Sequence, residues 1–214
     1  MVEIDTNERI KRKAHELFMR YGLRSVSMDD IAQSLGISKK TIYQFFKDKD
    51  ELIVDIVDQE IKCRETCCEN DRIGSDNAIH EIFLAMDMAM EIFRNMNPSV
   101  VYDMQKYHPK AFRIFSNHKH QYLYNMIHEN IERGIREELY RSDLNVDILT
   151  HYRIENMMLP FNPEFHTKVK SNLAKIEEEF IIHYLFGLAS IKGHKLILKY
   201  QKERIKKLNT DGKK

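Results

Sequence analysis

Seven side chains between positions 27 and 49 offer one kind of chemistry: Ser27, Lys39, Lys40, Thr41, Tyr43, Gln44 and Lys49. They supply ammonium groups, hydroxyls and an amide, and no carboxylate interrupts the run Lys39–Gln44. Cations and hydroxyls suit phosphate oxygens, while hydroxyl and amide groups can discriminate base edges. The pattern therefore fits a duplex with a readable groove. Thr41 and Gln44 are the better candidates for base edges, and Tyr43 and Lys49 for phosphate. Lys39 and Lys40 suit either. Ser27 is expected to meet phosphate at a helix N-terminus.

These side chains need short helices to hold them. Ser27 is an N-cap, with Asp29 and Asp30 in the first turn, where negative charge suits the helix dipole. Ile31, Ala32 and Leu35 make an apolar face, and Gly36 ends the helix. Ser38 caps a second helix whose inner side is assigned to Ile42, Phe45 and Phe46. The arrangement reads as a helix-turn-helix whose second helix enters a major groove. Two short helices meeting at a glycine also occur in proteins that bind no DNA. The longer string is more specific. Ser27, Ile31, Ala32, Leu35, Gly36, Ile37, Ser38, Thr41, Ile42, Tyr43, Phe46, Lys49 and Leu52 resemble the DNA-binding domain of the TetR family of bacterial transcriptional regulators. Phe45 stands where that pattern usually has a basic residue or histidine, which removes one backbone contact. The resemblance covers about the first fifty residues; beyond them it is one of architecture and length.

The whole chain reads as all-α. It has 214 residues, 43% hydrophobic and 31% charged, too apolar for disorder. Only 7 Gly and 4 Pro interrupt it, and runs of alternating β-branched residues are absent. The net charge of +1 means that DNA contact must come from a local patch. The first residues are polar and no long apolar run follows, so neither a signal peptide nor a membrane span is expected. Three cysteines fit a reducing cytoplasm. The expected division is a helix-turn-helix domain of three helices over residues 1–50 and a larger helical domain over 51–214, with the first helix from Asp5 to Tyr21. The resemblance implies that the second domain binds a ligand and dimerises.

A linking helix is expected from Asp48 to about Asp71, capped by Asp48, with Leu52, Ile53, Ile56, Val57 and Ile61 buried. It starts directly after the reading helix and so makes a natural lever, the role that the resemblance implies for ligand control. Cys63 and Cys67 share a face near its far end, beside Cys68. Reduced, partly buried thiols account for them, because no histidine lies within a turn to complete a metal site. Arg72–Asp76 is read as the loop between domains.

The middle of the chain is rich in methionine and aromatic residues. Met86, Met90, Phe93, Tyr102, Met104, Phe112, Tyr122 and Met126 are candidates to line a pocket for a small hydrophobic or amphipathic ligand, since such residues adapt to varied shapes. Ordinary core packing explains the same spacing. Short helices are expected over 98–107 and 110–117, then a long one over 118–139. The late helices near 145–159 and 163–188 carry wide apolar faces, and the family's architecture makes them the homodimer interface. From Lys199 on, seven cations face two carboxylates, a solvated basic end.

Motifs for catalysis are missing: no phosphate loop, no GxSxG, no zinc string, and the ten histidines form no ligand set. No enzyme, cofactor or metal is expected. The reading is a dimeric regulator, a repressor in most such families, that binds a pseudo-palindromic operator and is released by a ligand. An architectural or oligomerising DNA-binding protein of the same fold, without a ligand, is the alternative.

Overall fold

The computed structural model describes residues 6–211. Asp5, the side chains of Lys207 and Asp211, and Lys213 and Lys214 lie outside the described residues. Twelve α-helices follow one another among the described residues: α1 Thr6–Tyr21, α2 Met28–Leu35, α3 Lys39–Tyr43, α4 Lys49–Gly74, α5 Ala78–Phe93, α6 Ser99–Tyr107, α7 Pro109–His118, α8 Tyr124–Arg136, α9 Val146–Asn156, α10 Pro163–Lys168, α11 Leu173–Leu188 and α12 Ile191–Asp211. No strand occurs among the described residues. A lone antiparallel bridge joins Tyr140 to Ala189. No described helix is long and apolar enough to cross a membrane.

Two large cores organise the helices. The first gathers Ile10, Ala14, Phe18, Ile31, Ala32, Ile42, Phe46, Leu52 and Ile53 with Val100, Met104 and Ala111, so α6 and α7 pack beneath the N-terminal helices. The second is built by α5, α8, α9, α11 and α12, with Ile79, Phe83, Met86, Ile131, Ile154, Leu185 and Ile197 at its centre. Phe161, Val101 and Leu173 form a smaller cluster that Phe93, Met96 and Phe115 connect to the rest.

Several boundaries differ from the sequence pattern. Arg72, Ile73 and Gly74 continue α4 instead of forming a loop. The chain turns at Ser75, whose hydroxyl donates to the Arg72 carbonyl at 2.8 Å. The helices expected over 110–117 and 118–139 are one run, Pro109 to Arg136, with a π-helical turn at Lys119–Leu123. That turn brings His118 and Tyr122 into a stack, ring centroids 5.3 Å apart, against α4. The run stops before Leu139 because Glu138 takes a left-handed φ of 58° and the N–H groups of Leu139 and Tyr140 both donate to the Gly134 carbonyl. Gly134 allows this: a Cβ there would sit 2.0 Å from the Tyr140 ring. The expected helix over 163–188 is split by Val169–Asn172, where Asn172 caps α11 by accepting from the Lys175 N–H at 2.8 Å.

Candidate nucleic-acid interface

The reading head is set by local hydrogen bonds. The Ser27 side chain accepts from the Asp30 N–H at 3.2 Å, and the Asp30 carboxylate accepts from the Ser27 N–H at 2.7 Å and its hydroxyl at 2.6 Å. This reciprocal box holds the first turn of α2. Ser27 thus presents its donors to Asp30 before any phosphate arrives, and those bonds hold the Asp30 carboxyl below its ordinary range. Gly36 closes the helix with φ 66° and ψ 29°, a left-handed geometry that costs glycine nothing. Nothing lies near its absent Cβ, so the backbone angle and not crowding selects it. Ser38 then accepts from the Thr41 N–H at 3.1 Å and shares a 2.8 Å hydrogen bond with the Thr41 hydroxyl.

Ile42 and Phe46 anchor the short helix, at 0% and 1% exposure. Around them Lys39, Lys40, Tyr43 and Gln44 are exposed, and Thr41 partly so. Lys40 makes no ion pair among the described residues, whereas the Lys39 ammonium lies 2.7 Å from the Asp29 carboxylate of α2. That bond raises the Lys39 pKa. DNA would have to exchange Asp29 for a phosphate at this position, while Lys40 offers its charge without an exchange.

Two residues sit differently from the expected arrangement. Lys49 points inward: its ammonium donates to the Leu23 carbonyl in the turn after α1 and lies 5.6 Å from the centre of the Phe18 ring. Burial pulls its pKa down, with Asp103 the first of the carboxylates that oppose the effect. Its charge is spent inside the domain, because the chain from α1 to α2 leaves that carbonyl facing the first turn of α4. Phe45, assigned to the inner side, is 39% exposed. Ile42 and Phe46 already fill the space beneath α3, and an intervening side chain must point away from it. Tyr21 is likewise exposed at 48%, with Arg20 over its ring.

The lever α4 is held to its surroundings by three histidine–carboxylate contacts. His15 of α1 lies 3.4 Å from Glu60, His108 at the start of α7 lies 2.5 Å from Asp50, and His118 lies 2.9 Å from Glu65. A backbone bond of 2.6 Å from Asn97 to the Met19 carbonyl adds a direct tie between α1 and the segment before α6. An open cleft of about 600 Å³ runs between α1, α4 and α5 and is lined by His15, Glu16, Arg20, Glu60, Arg64 and Glu91 with Met19, Ile92 and Asn95. None of these residues is visible as a set in the sequence, because they come from three separated helices.

The eight pocket candidates are not gathered in one place. Met86 and Met90 are buried in the second core, with Phe93 partly buried beside them. Met104 and Phe112 belong to the core under the reading head. Tyr102 is 40% exposed, which takes it out of any interior lining. Tyr122 donates its hydroxyl to the Glu65 carbonyl at 3.0 Å, and Met126 is partly buried on α8. The buried polar groups lie elsewhere. Arg153 on α9 contacts Glu177 on α11 at 2.6 Å and stands over the Tyr184 ring at 5.7 Å. In this cluster Arg153 Nη1, Glu177 Oε2 and the Tyr184 hydroxyl have no protein partner. Polar side chains on wide apolar helix faces were the available signal, and apolar periodicity alone passes over it. The thiols of Cys63 and Cys67 are exposed and only Cys68 is buried, against the expectation of partial burial for all three. No cluster of three or more potential metal ligands occurs among the described residues.

This combination, a capped helix-turn-helix with an exposed polar reading face on an otherwise helical body, defines a helix-turn-helix DNA-binding protein. Residues 10–56 match the profile described as "Bacterial regulatory proteins, tetR family". That N-terminal segment is therefore similar to the DNA-binding domain of the TetR family, and the chain as a whole is similar to transcriptional regulators with a helix-turn-helix. It is 22% identical over 188 residues to the uncharacterised HTH-type transcriptional regulator YvaF of Bacillus subtilis, covering 85% of this chain and 94% of that protein. Its fold is similar to that of the ketosteroid transcriptional regulator KstR2 of Mycobacterium tuberculosis, with a TM-score of 0.63, 16% identity, and coverage of 88% and 97% of the two chains. It is also similar to the regulator FadR of Bacillus subtilis, solved with stearoyl-CoA, with a TM-score of 0.60, 14% identity, and coverage of 85% and 98%.

Proposed function

We propose that this protein is a dimeric, ligand-responsive repressor that binds a pseudo-palindromic operator. Residues 1–50 form the reading domain and 51–214 the regulatory and dimerisation domain, and the chain carries out no catalysis. The observation that carries the reading is the outer face of α3 and its C-cap, where the side chains of Lys40, Tyr43 and Gln44 stand exposed without a hydrogen-bond or ion-pair partner among the described residues. Thr41 and Lys39 flank them. Lys40 and Lys39 neutralise phosphates, Tyr43 donates to one, and Gln44 and Thr41 read base edges. Ser27 meets phosphate by sharing its hydroxyl with Asp30. Lys49 acts as an internal latch.

Dimerisation uses α9 and α11. Ile148 and Tyr152, one turn apart on α9, are 64% and 47% exposed, and Leu159 just beyond the helix is 38% exposed, apolar surface that a second copy would cover. Ligand response is supported by the Arg153–Glu177–Tyr184 cluster. Unsatisfied buried polar atoms cost about 1–3 kcal/mol each, so a bound polar group or ordered water there is favourable. FadR's stearoyl-CoA complex makes an amphipathic effector a reasonable class for this chain as well.

Selection of binding sites from random duplexes with the full chain, followed by gel shift and light scattering, tests the proposal. A two-fold-related pair of half-sites bound by a dimer is the expected result, with a small amphipathic molecule lowering affinity. Sequence-indifferent binding with a steep salt dependence would return the architectural reading instead.

A further inference from the structure

We propose that Phe45 is a specificity residue that recognises the C5-methyl group of a thymine in the operator. The inference rests on the operator-binding reading above and concerns a side chain which that reading leaves unused. Phe45 is 39% exposed, although Phe46 beside it is almost fully buried. Its N–H donates to the Ile42 carbonyl at 3.0 Å, which holds it in the turn that directly follows α3. On a helix, residues three and four apart are neighbours. Phe45 sits four residues after Thr41, at the C-terminal end of the reading helix, and is exposed there as Gln44 is.

That neighbourhood gives the phenyl ring a defined partner. In the major groove a glutamine amide can bond an adenine at N6 and N7, and a thymine presents its methyl group in the same groove. A hydroxyl, an amide and an apolar ring in one patch thus match consecutive A·T or T·A pairs. The ring has no hydrogen-bonding atom, so it cannot serve a phosphate. Among the described residues it makes no aromatic or cation–π contact either. Phe45 instead gains by covering a methyl group that would otherwise face water.

The test uses the full chain and the operator recovered by selection. Each thymine of the half-sites is replaced in turn by deoxyuridine, which removes only the methyl, and affinity is measured by fluorescence anisotropy at fixed salt. For the native protein, one thymine in each half-site should lose roughly threefold to fivefold per methyl, the size expected for one buried methyl group. Phe45→Ala should abolish that difference, and Phe45→Leu should keep part of it. Circular dichroism melts of both variants provide the folding control. A methyl effect that persists unchanged in Phe45→Ala overturns the inference. Equal weakening of operator and scrambled duplex by Phe45→Ala, with no thymine sensitive to deoxyuridine, also overturns it and reassigns the ring to deoxyribose. If the native chain shows no sequence preference at all, the operator-binding reading fails with it, an outcome distinguishable because the first measurement already lacks specificity.

Discussion

The reading head and the helical body use their polar side chains in opposite ways. In the head, the polar groups sit at helix ends and hold short segments: Ser27 with Asp30, Ser38 with Thr41, Asp48 with the Glu51 N–H at 2.9 Å. The interior beneath them is apolar apart from the inward Lys49 and Asp103, and the exposed face is left for a partner. In the body, charged groups lie inside. Arg133 donates to Glu81 at 3.0 Å, to Glu137 at 2.7 Å and to the Ser75 hydroxyl at 2.7 Å, while Arg153 reaches Glu177 in the core. Capped helices around an apolar core give a preformed surface. Buried ions give an interior whose best arrangement depends on what else is bound there, because each unpaired atom is costly. The difference suits a rigid head carried by a body that can be shifted.

The largest effect should come from breaking the buried pair in the body. Arg153→Met leaves Glu177, at 2% exposure, without its cation. Removing one partner of a buried pair typically costs about 3–5 kcal/mol. Burial raises the Glu177 pKa even with Arg153 present, so the single variant should take up a proton there. Replacing both partners, Arg153→Met with Glu177→Met, should recover most of that loss, since apolar substitutes can match or exceed a buried pair. Urea unfolding monitored by circular dichroism reads both. Equal destabilisation by the single and the double variant would mean that packing, not charge, is what the site contributes.

The same contrast explains what the sequence made legible. The head could be read almost residue by residue because its determinants are local: caps, a left-handed glycine, and apolar residues at helical spacing. Phe45 escaped because periodicity cannot tell which of two adjacent phenylalanines is buried; the space beneath α3 decides it. Lys49 escaped for a different reason. Its partner, the Leu23 carbonyl, lies 26 residues away in sequence, and a lysine beside a reading helix looks like a phosphate contact. In the body, the all-α class and most helix positions were legible, but not the π-helical turn, the break before Asn172 or the pairing of Arg153 with Glu177. Those depend on which helices meet. The expected pocket residues were chosen by type, and type alone does not distinguish Met86 in one core from Met104 in another.

Two lysines of the head allow a smaller, sharper test of its division into outside and inside. Lys40→Ala should weaken binding to all duplexes alike and reduce the salt slope by about one phosphate contact, with thermal stability unchanged. Lys49→Ala should do the reverse. It loses a charged hydrogen bond to a backbone carbonyl, worth about 1.5–3 kcal/mol, and so should lower the melting midpoint while leaving the salt slope as it was. Anisotropy titrations over a range of salt, with melts of the same samples, separate the two. A salt slope reduced by Lys49→Ala to the same degree as by Lys40→Ala would put the Lys49 ammonium on the DNA after all.

The smallest effect lies at the seam between head and body. Burial lowers the pKa of His15 and of His118, and Glu60 and Glu65 oppose that shift without reversing it; Arg64 lowers both further. The native state therefore binds these protons less readily than the unfolded chain, whose imidazoles titrate near about pH 6.5. Stability should then rise with pH through the window below that value and level off above it, and acidification should loosen α4 from α1 and α7. Asp30, whose pKa is lowered by Ser27, stays charged throughout this window, so the capped head keeps its own contribution until more acid conditions. The raised carboxyls of Glu81 and Glu177 slope the opposite way just above the ordinary carboxylate range, so the raw profile mixes both signs. Comparing urea midpoints from pH 5 to about pH 8 for the native chain and for His15→Gln with His118→Gln isolates the imidazoles. The double variant should show a flatter profile between about pH 5.5 and pH 6.5. An unchanged slope would place the acid sensitivity in the buried carboxyls of the body and remove the seam from the mechanism of release.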